Sequence, residues 1–237
     1  MRKTFLSKNP PYKNMKEQEL EKILREGALQ LGVELEDKAT ENFFTYLREL
    51  TAWNKRMNLT SITSEKDIII RHFLDSLTPY RFLKGNGCRK LLDIGSGAGF
   101  PGIPLKIADP GLEVLLLDSV EKKVHFMRHM IRTLGLGAGI QAEKARADDQ
   151  AFIQRHSSYF DCVISRAFSG LRKFLDLASP YCRKGGIVMA MKGPGAFEEI
   201  RDVAGVQTPE AHEVKLPFSD RTTVILMFRK TGENFPQ

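Results

Sequence analysis

The amino-acid sequence predicts an α/β fold: a mostly parallel sheet covered by helices on both faces, finished by an antiparallel hairpin and preceded by N-terminal helices. Three observations predict it. From residue 89 onward, short apolar runs alternate with helical stretches, the pattern of βαβ units. The first run opens directly into a glycine-rich loop, LLDIGSGAGFPGIP (91–104). The chain closes on two strand-like runs joined by a polar turn, which read as a hairpin. With 237 residues, 42% hydrophobic and 27% charged, the chain is long enough for one large domain and excludes a wholly disordered protein.

Residues 1–15 are polar, contain Pro10 and Pro11, and are expected to form a loose tail. From Lys16 to about Leu31, the spacing of Leu20, Ile23, Leu24 and Leu31 predicts an amphipathic helix ended near Gly32. A second helix is expected from Asp37 to Trp53, with Phe43, Leu47, Leu50 and Trp53 turned toward the main domain. NKRMNLTSIT (54–63) reads as a polar loop, and a third helix covers about 65–78 with Ile68, Ile69, Phe73 and Leu77 inward. Residues 1–60 are thus expected to be a helical extension packed on the domain formed by 61–237.

RKLLDI (89–94), LEVLLLD (112–118), GIQAEKA (139–145), FDCVIS (160–165) and GIVMAMK (186–192) are the expected parallel strands. After the second strand, Val120, Val124, Met127, Ile131 and Leu134 define an apolar helix face, and Lys122, His125, His129 and Arg132 a basic, solvated one. HEVKLP (212–217), the turn FSDRTT and VILMFRK (224–230) form the hairpin. A parallel sheet finished in this way is the layout of class I methyltransferases; nucleotide-binding dehydrogenases usually finish all parallel. The predicted class is therefore a class I methyltransferase, Rossmann-like sheet.

The formal net charge of +7 favours a polyanionic partner such as RNA, or an anionic membrane surface. No apolar run approaches the roughly 18 residues of a membrane span, and the basic N-terminus lacks the apolar stretch of a secretory signal. Cys88, Cys162 and Cys182 form no CxxC pair, so neither a disulfide framework nor a metal site is expected. The chain reads as cytoplasmic, monomeric and without membrane or metal.

The glycine loop admits two readings. Gly97 to Gly102 matches GxGxxG, the dinucleotide fingerprint, but begins three residues beyond Ile94, the strand's last residue. At the strand end itself stands Asp93-Ile94-Gly95-Ser96-Gly97-Ala98-Gly99, or DxGxGxG. A carboxylate at the base of the loop gains nothing beside a pyrophosphate. It is favourable beside S-adenosylmethionine, which carries an ammonium and a sulfonium. Asp118 ends the second strand, 19 residues after Gly99 (118 − 99), near the spacing of a carboxylate that accepts both ribose hydroxyls. Taken alone it is equally a cap for the following helix. Past the third strand, Asp148 is placed to accept from an adenine amino group while Ala147 packs on the ring.

Catalytic residues are scarce. No [DNS]-P-P-[YFW] clamp follows FDCVIS, and no cysteine is placed as a nucleophile; Cys162 sits mid-strand, like a small buried hydrophobe. The chemistry must need little help, which fits an acceptor with an exposed lone pair and no proton to lose, such as nitrogen 7 of guanine. Arg166, just past the fourth strand, is expected to position a phosphate, a base edge or the cofactor carboxylate. Phe168 reads as core, or as a stacking surface for a base. A methyltransferase of other substrates, a non-catalytic RNA-binding assembly factor and a dehydrogenase remain as alternatives.

The combination of WNKRMNLTSI (53–62), RHFLDSL (71–77), LLDIGSGAGFPGIPL (91–105), LLLDSVEKK (115–123), SRAF (165–168), MKG (191–193) and the Arg221 segment resembles the glucose-inhibited division protein B type methyltransferases. These modify nitrogen 7 of a guanine in bacterial small-subunit (16S) ribosomal RNA. The resemblance implies a cofactor site from Gly95, Phe100, Ala147, Asp148 and Arg166, with Asp118 at the ribose, and ribosomal RNA or the small ribosomal subunit as partner. Ala147-Asp148 departs from the Val-Glu of many relatives. Lys55, Arg56, Arg71, His72, Lys192 and Arg221 are the expected contacts to RNA phosphates; Lys55 and Arg56 also read as solvated loop charges, and His72 equally as a hydrogen-bonded packing histidine.

Overall fold

In the computed structural model of the protein, β1 (Lys90–Ile94), β2 (Glu113–Asp118), β3 (Ile140–Lys144), β4 (Phe160–Arg166) and β5 (Cys182–Lys192) run parallel, and β6 (Glu210–Lys215) and β7 (Thr222–Arg229) form the hairpin. The sheet order is β3-β2-β1-β4-β5-β7-β6, so β7 inserts antiparallel between β5 and β6. The structure describes residues 15–232 except 138, 167, 169, 202 and 204–207; apart from Met15, the expected tail lies outside the described residues. Register places Ile94 beside Leu117 and Asp93 beside Ile164, so β1, β2 and β4 end at one level and their loops meet. Ligands of open α/β sheets bind at such carboxyl ends.

On one face, α1 (Met15–Gln30), α2 (Asp37–Met57) and the run α3 (Glu65–Ile68), a π segment (Ile69–Leu74) and α4 (Asp75–Leu77) join α5 (Tyr80–Gly85), α6 (Gly102–Ala108) and α7 (Glu121–Thr133). Leu24, Phe43, Leu50 and Phe73 of the N-terminal helices share one apolar cluster with Leu91 and Leu116 of the sheet. The opposite face is covered by α8 (Gln150–His156), α9 (Leu171–Ala178) and α10 (Ala196–Arg201), around Phe152, Phe174 and Phe228.

Five expectations are corrected. The second helix does not stop at Trp53 but continues to Met57, because nothing in 54–57 breaks it. It ends where Asn58 turns left-handed (φ 49°), and Asn54 then ties the outgoing chain through two bonds to Thr60 (2.8 and 2.9 Å). Lys55 and Arg56 are therefore the helix's last turn, not a loop. The third helix is interrupted by the π segment, which carries Arg71 and His72. Val120 lies outside α7 at its N-cap and is 37% exposed, while Phe126 and Met130 complete the buried face. The basic side of α7 is only partly solvated: the His129 ring lies 4.9 Å from that of Trp53 and its Nε2 meets Glu49 at 2.7 Å, while Lys122 donates to Met57 O (2.8 Å). It seats α2. Finally, β5 starts at Cys182 rather than Gly186, pairing with Phe160 before a register shift.

Candidate active site

The loop after β1 is fixed by bonds to β2. Gly95 N and Ser96 N both donate to Leu117 O (2.8 and 3.0 Å), and the Ser96 hydroxyl donates to Asp93 O while accepting from Leu117 N. Gly97 N donates to Asp118 Oδ2 at 2.9 Å. Gly99 has φ +94°, and a Cβ there would collide with Ile103 and come within 2.9 Å of the Tyr46 hydroxyl, which itself donates to Ala98 O. Helices α2 and α6 thus hold the back of the loop and its front stays open.

Asp93 is placed differently from the expectation. It is fully buried behind the loop, its Oδ2 accepts from Gly102 N (2.9 Å), and its Oδ1 has no partner among the described residues. The carboxylate shapes the return of the loop into α6 rather than facing a ligand directly. Burial raises its pKa from 3.8 to about 7, against the lowering effect of the Gly102 N–H. The folded state therefore holds the proton more tightly than the unfolded chain. The contribution of this group to stability is greatest at low pH and is lost as pH rises through about 7, by an amount on the order of a few kcal/mol. Asp93→Asn is expected to melt several degrees above the wild type at about pH 8, the gain shrinking toward about pH 5. Thermal melts across pH check this; a gain that grows in acid would refute it.

In front of the loop lies a cavity of about 340 Å³ between the ends of β1, β2 and β3, lined by Gly95, Asp118, Val120, Ala147, Asp148 and Phe168 among others. Asp118 is 6% exposed; besides Gly97 N it accepts from Val120 N (2.8 Å), and Lys123 approaches to 3.7 Å. Asp118 therefore holds the backbone at the entry to α7 and also lines the cavity. Each carboxylate oxygen keeps a lone pair for a ribose hydroxyl. Asp148 is half-exposed and bidentate with Arg146 (2.9 and 2.8 Å), and Ala147 O accepts from the Tyr181 hydroxyl (2.6 Å). A mixed lining, with Ile94, Leu117, Val120 and Phe168 for an adenosine's rings and carboxylates at two ends for its polar groups, fits S-adenosylmethionine.

A larger cavity of about 760 Å³ adjoins it, with Phe168 lining both. Arg166 lies in its wall, not in the first cavity. Its Nη1 donates to Asp75 Oδ2 (3.0 Å) and Arg71 O (3.3 Å), its Nη2 meets His72 Nδ1 (3.2 Å), and its guanidinium stands 4.9 Å from the Phe100 ring. Asp75 also accepts from the Thr223 hydroxyl, so one carboxylate joins the N-terminal helices, β4 and β7. Phe100 is 4% exposed and sandwiched between His72 (4.7 Å, 14°) and Tyr46 (5.3 Å, 17°), behind the glycine loop.

The expected RNA contacts divide. Arg71 and Arg221 line the larger cavity, and neither guanidinium has a carboxylate partner among the described residues. His72 also lines it but is not a cation: burial, then the charges of Arg166 and Arg71, lower its pKa to about 3. Because Nδ1 accepts from Arg166, the proton sits on Nε2 and is donated to Thr60 Oγ1 (2.7 Å). Lys192 is neutralised: it pairs with Glu199 (2.8 Å) and donates to Phe168 O (2.6 Å). Lys55 and Arg56 are exposed but line neither cavity. Asp75, Thr223, Tyr46 and Glu199 were absent from the expected site. A signal existed for two of them: Asp75 stands one helical turn after Arg71, and Tyr46 lies on the stripe of Phe43 and Leu50. All three cysteines are buried; burial pushes Cys182 up to about 12 and Cys162 well above its usual value, which keeps both thiols protonated.

Comparison with known proteins bears on the family and the fold. The GidB family model, rRNA small subunit methyltransferase G, matches residues 39–222. Ribosomal RNA small subunit methyltransferase G of Geobacter metallireducens is 43% identical over 221 residues, 90% of this chain and 98% of that protein. Its counterpart in Alkaliphilus oremlandii is 40% identical over 230 residues, 92% and 95% of the two chains. Among solved structures, the O-methyltransferase of Bacillus cereus in complex with SAH aligns with a TM-score of 0.55 over 77% of this chain and 90% of its own. At 16% identity it shares the class I methyltransferase fold alone.

Proposed function

The chain belongs to the GidB family of small-subunit rRNA methyltransferases, and on that premise we propose that it transfers a methyl group from S-adenosylmethionine to nitrogen 7 of a guanine in 16S ribosomal RNA. Bound in the smaller cavity, S-adenosylmethionine supplies an electrophilic methyl on sulfur. Asp118 and Gly95 hold its adenosine half, Asp148 and Ala147 the adenine, and Phe168 divides it from the acceptor cavity. Arg166, held by Asp75 and His72, braces the wall against which the acceptor base rests.

The observation that carries the acceptor is that, among the described residues, the inner wall of the larger cavity presents no spare base. Asp75 is occupied by Arg166 and Thr223, His72 by Arg166 and Thr60, and Glu199 by Lys192. The carboxylate of Asp220 stands exposed on the turn between β6 and β7. Such a wall suits an acceptor that loses no proton, and guanine nitrogen 7 offers its lone pair directly. Alignment, rather than deprotonation, then carries the rate. The test is transfer of labelled methyl to small ribosomal subunits from cells lacking the protein. Label at one guanine, mapped by cleavage specific to nitrogen-7 methylation, is the expected result. Label on another atom or nucleotide would overturn the acceptor, and failure to label RNA would overturn the substrate.

The two unpaired arginines give the electrostatics a separate prediction. Arg71→Ala and Arg221→Ala are each expected to flatten the slope of log affinity against log salt by about 0.7–0.9, the release from one phosphate. Lys192→Ala, whose charge Glu199 already cancels, leaves the slope unchanged. Titrations of subunits at several salt concentrations decide it; three equal slopes would remove the arginines from the RNA interface.

A further inference from the structure

The turn between β6 and β7 presents an aromatic ring to solvent in a strained backbone. Phe218 has φ +59°, a left-handed conformation that bulky side chains rarely adopt, and is 46% exposed. Its ring stacks on no other aromatic side chain among the described residues. The turn that holds it is rigid. Buried Leu216 and Pro217 anchor it, Leu216 N donates to Arg221 O (2.9 Å), Ser219 N to Leu216 O (3.2 Å), and Arg221 N to Ser219 Oγ (3.1 Å). A strained, pinned turn that holds an apolar ring in water, where a glycine or asparagine would sit without strain, points to a ligand for the ring.

Phe218 forms one wall of a cleft of about 460 Å³ with Gln30, Lys215 and Ser219. Leu216 and Asp220 are shared between this cleft and the acceptor cavity, so the two adjoin across the turn. Beside the carboxylate of Asp220, the cleft carries groups that match the parts of a nucleotide. A ring offers its face to a base, the exposed Lys215, without an ion pair among the described residues, offers charge to a phosphate, and Gln30 and Ser219 offer hydrogen bonds to a base edge or ribose. Arg221 on the same turn continues the positive charge into the acceptor cavity. We propose that this cleft binds the nucleotide flanking the acceptor guanine in an unpaired RNA strand, its base stacked on Phe218 and its phosphate beside Lys215. The inference rests on the ribosomal RNA reading above and adds a second subsite that fixes the strand as well as the base.

The test compares Phe218→Ala, Phe218→Gly and Phe218→Tyr in methyl transfer to unmodified small subunits. Loss of one stacked base is expected to raise the KM for subunits about tenfold or more in the Ala and Gly variants, with kcat within about twofold. Tyr is expected to restore KM to within about threefold, since it keeps the ring. The Gly variant folds without strain at this φ, so its Tm and cofactor affinity should stay near wild type. Unchanged KM in Ala and Gly, while the wild type methylates normally, would overturn the cleft and leave the function standing; no transfer by the wild type would overturn both. A KM effect that tracks a large fall in Tm would assign the ring to folding instead. As an independent readout, Phe218→p-benzoylphenylalanine irradiated on the subunit is expected to crosslink to a nucleotide next to the methylated guanine. A crosslink to a ribosomal protein would overturn the proposal.

Discussion

Asp118→Asn is expected to weaken S-adenosylmethionine binding by at least about a hundredfold, since hydrogen bonds to a charged group are worth about 1.5–3 kcal/mol each and more than one is lost. The carboxylate now accepts from Gly97 N and Val120 N at once. An amide has one oxygen, so its NH2 must face one of these N–H groups or the ribose hydroxyl that the proposed role assigns to it. One bond is lost, either the loop's Gly97 tie to β2 or the Val120 tie at the entry to α7, and the cavity loses the charge at its ribose end. A fall of several degrees in Tm should accompany the change, because Asp118 is only 6% exposed and an unmet donor is left behind. Asp148→Asn provides the contrast. Its side chain is 51% exposed and already held by Arg146, so its effect is expected to stay below about tenfold. Calorimetric titration of both variants separates the roles. If Asp118→Asn binds the cofactor like wild type and only melts lower, the residue is a tie between loop and helix, and the ribose contact is wrong.

How much of this was legible depends on where each partner lies in the chain. The glycine loop, Asp118 and the hairpin could be read because strand, loop and acidic residue follow one another in register, and the alternation of apolar runs dictates the sheet. Charge state could not. Lys192 reads as a free cation in MKG, yet Glu199, seven residues on, cancels it through a helix whose position only the packed fold determines. His72 reads among the contacts to RNA phosphate, yet its low pKa comes first from burial and then from Arg166, 94 residues away. Asp93 was read by the charge it would offer a ligand, but its depth behind the loop is set by Gly102, where a Cβ would overlap Leu116 and sit 3.0 Å from Asp93 Oδ2. The end of α2 was misplaced for a related reason: a run of polar residues looks like a loop, while no breaker stands before Asn58.

Arg166→Lys is expected to lower kcat for methyl transfer by about a hundredfold or more while cofactor affinity stays within about threefold, the cost of misplacing reacting groups by about 1 Å. The guanidinium forks to Asp75 Oδ2, Arg71 O and His72 Nδ1 while lying over Phe100. An ammonium keeps the charge but can reproduce neither the fork nor the planar contact. Its bond to His72 also selects the tautomer that donates to Thr60, and thereby holds the 60–62 segment, including Ile62 of the acceptor cavity. Asp75→Asn should cost nearly as much, because the single amide oxygen cannot serve both Arg166 and Thr223 and the charge beside the guanidinium is lost. The double variant should then lose little more than either single one, as expected for residues that act through one network. Steady-state kinetics with separate variation of subunits and cofactor distinguishes this from the other reading of Arg166. If the lysine variant keeps its kcat but binds S-adenosylmethionine far more weakly, Arg166 serves the cofactor carboxylate, and the acceptor wall must be built by Arg71 and Arg221 alone.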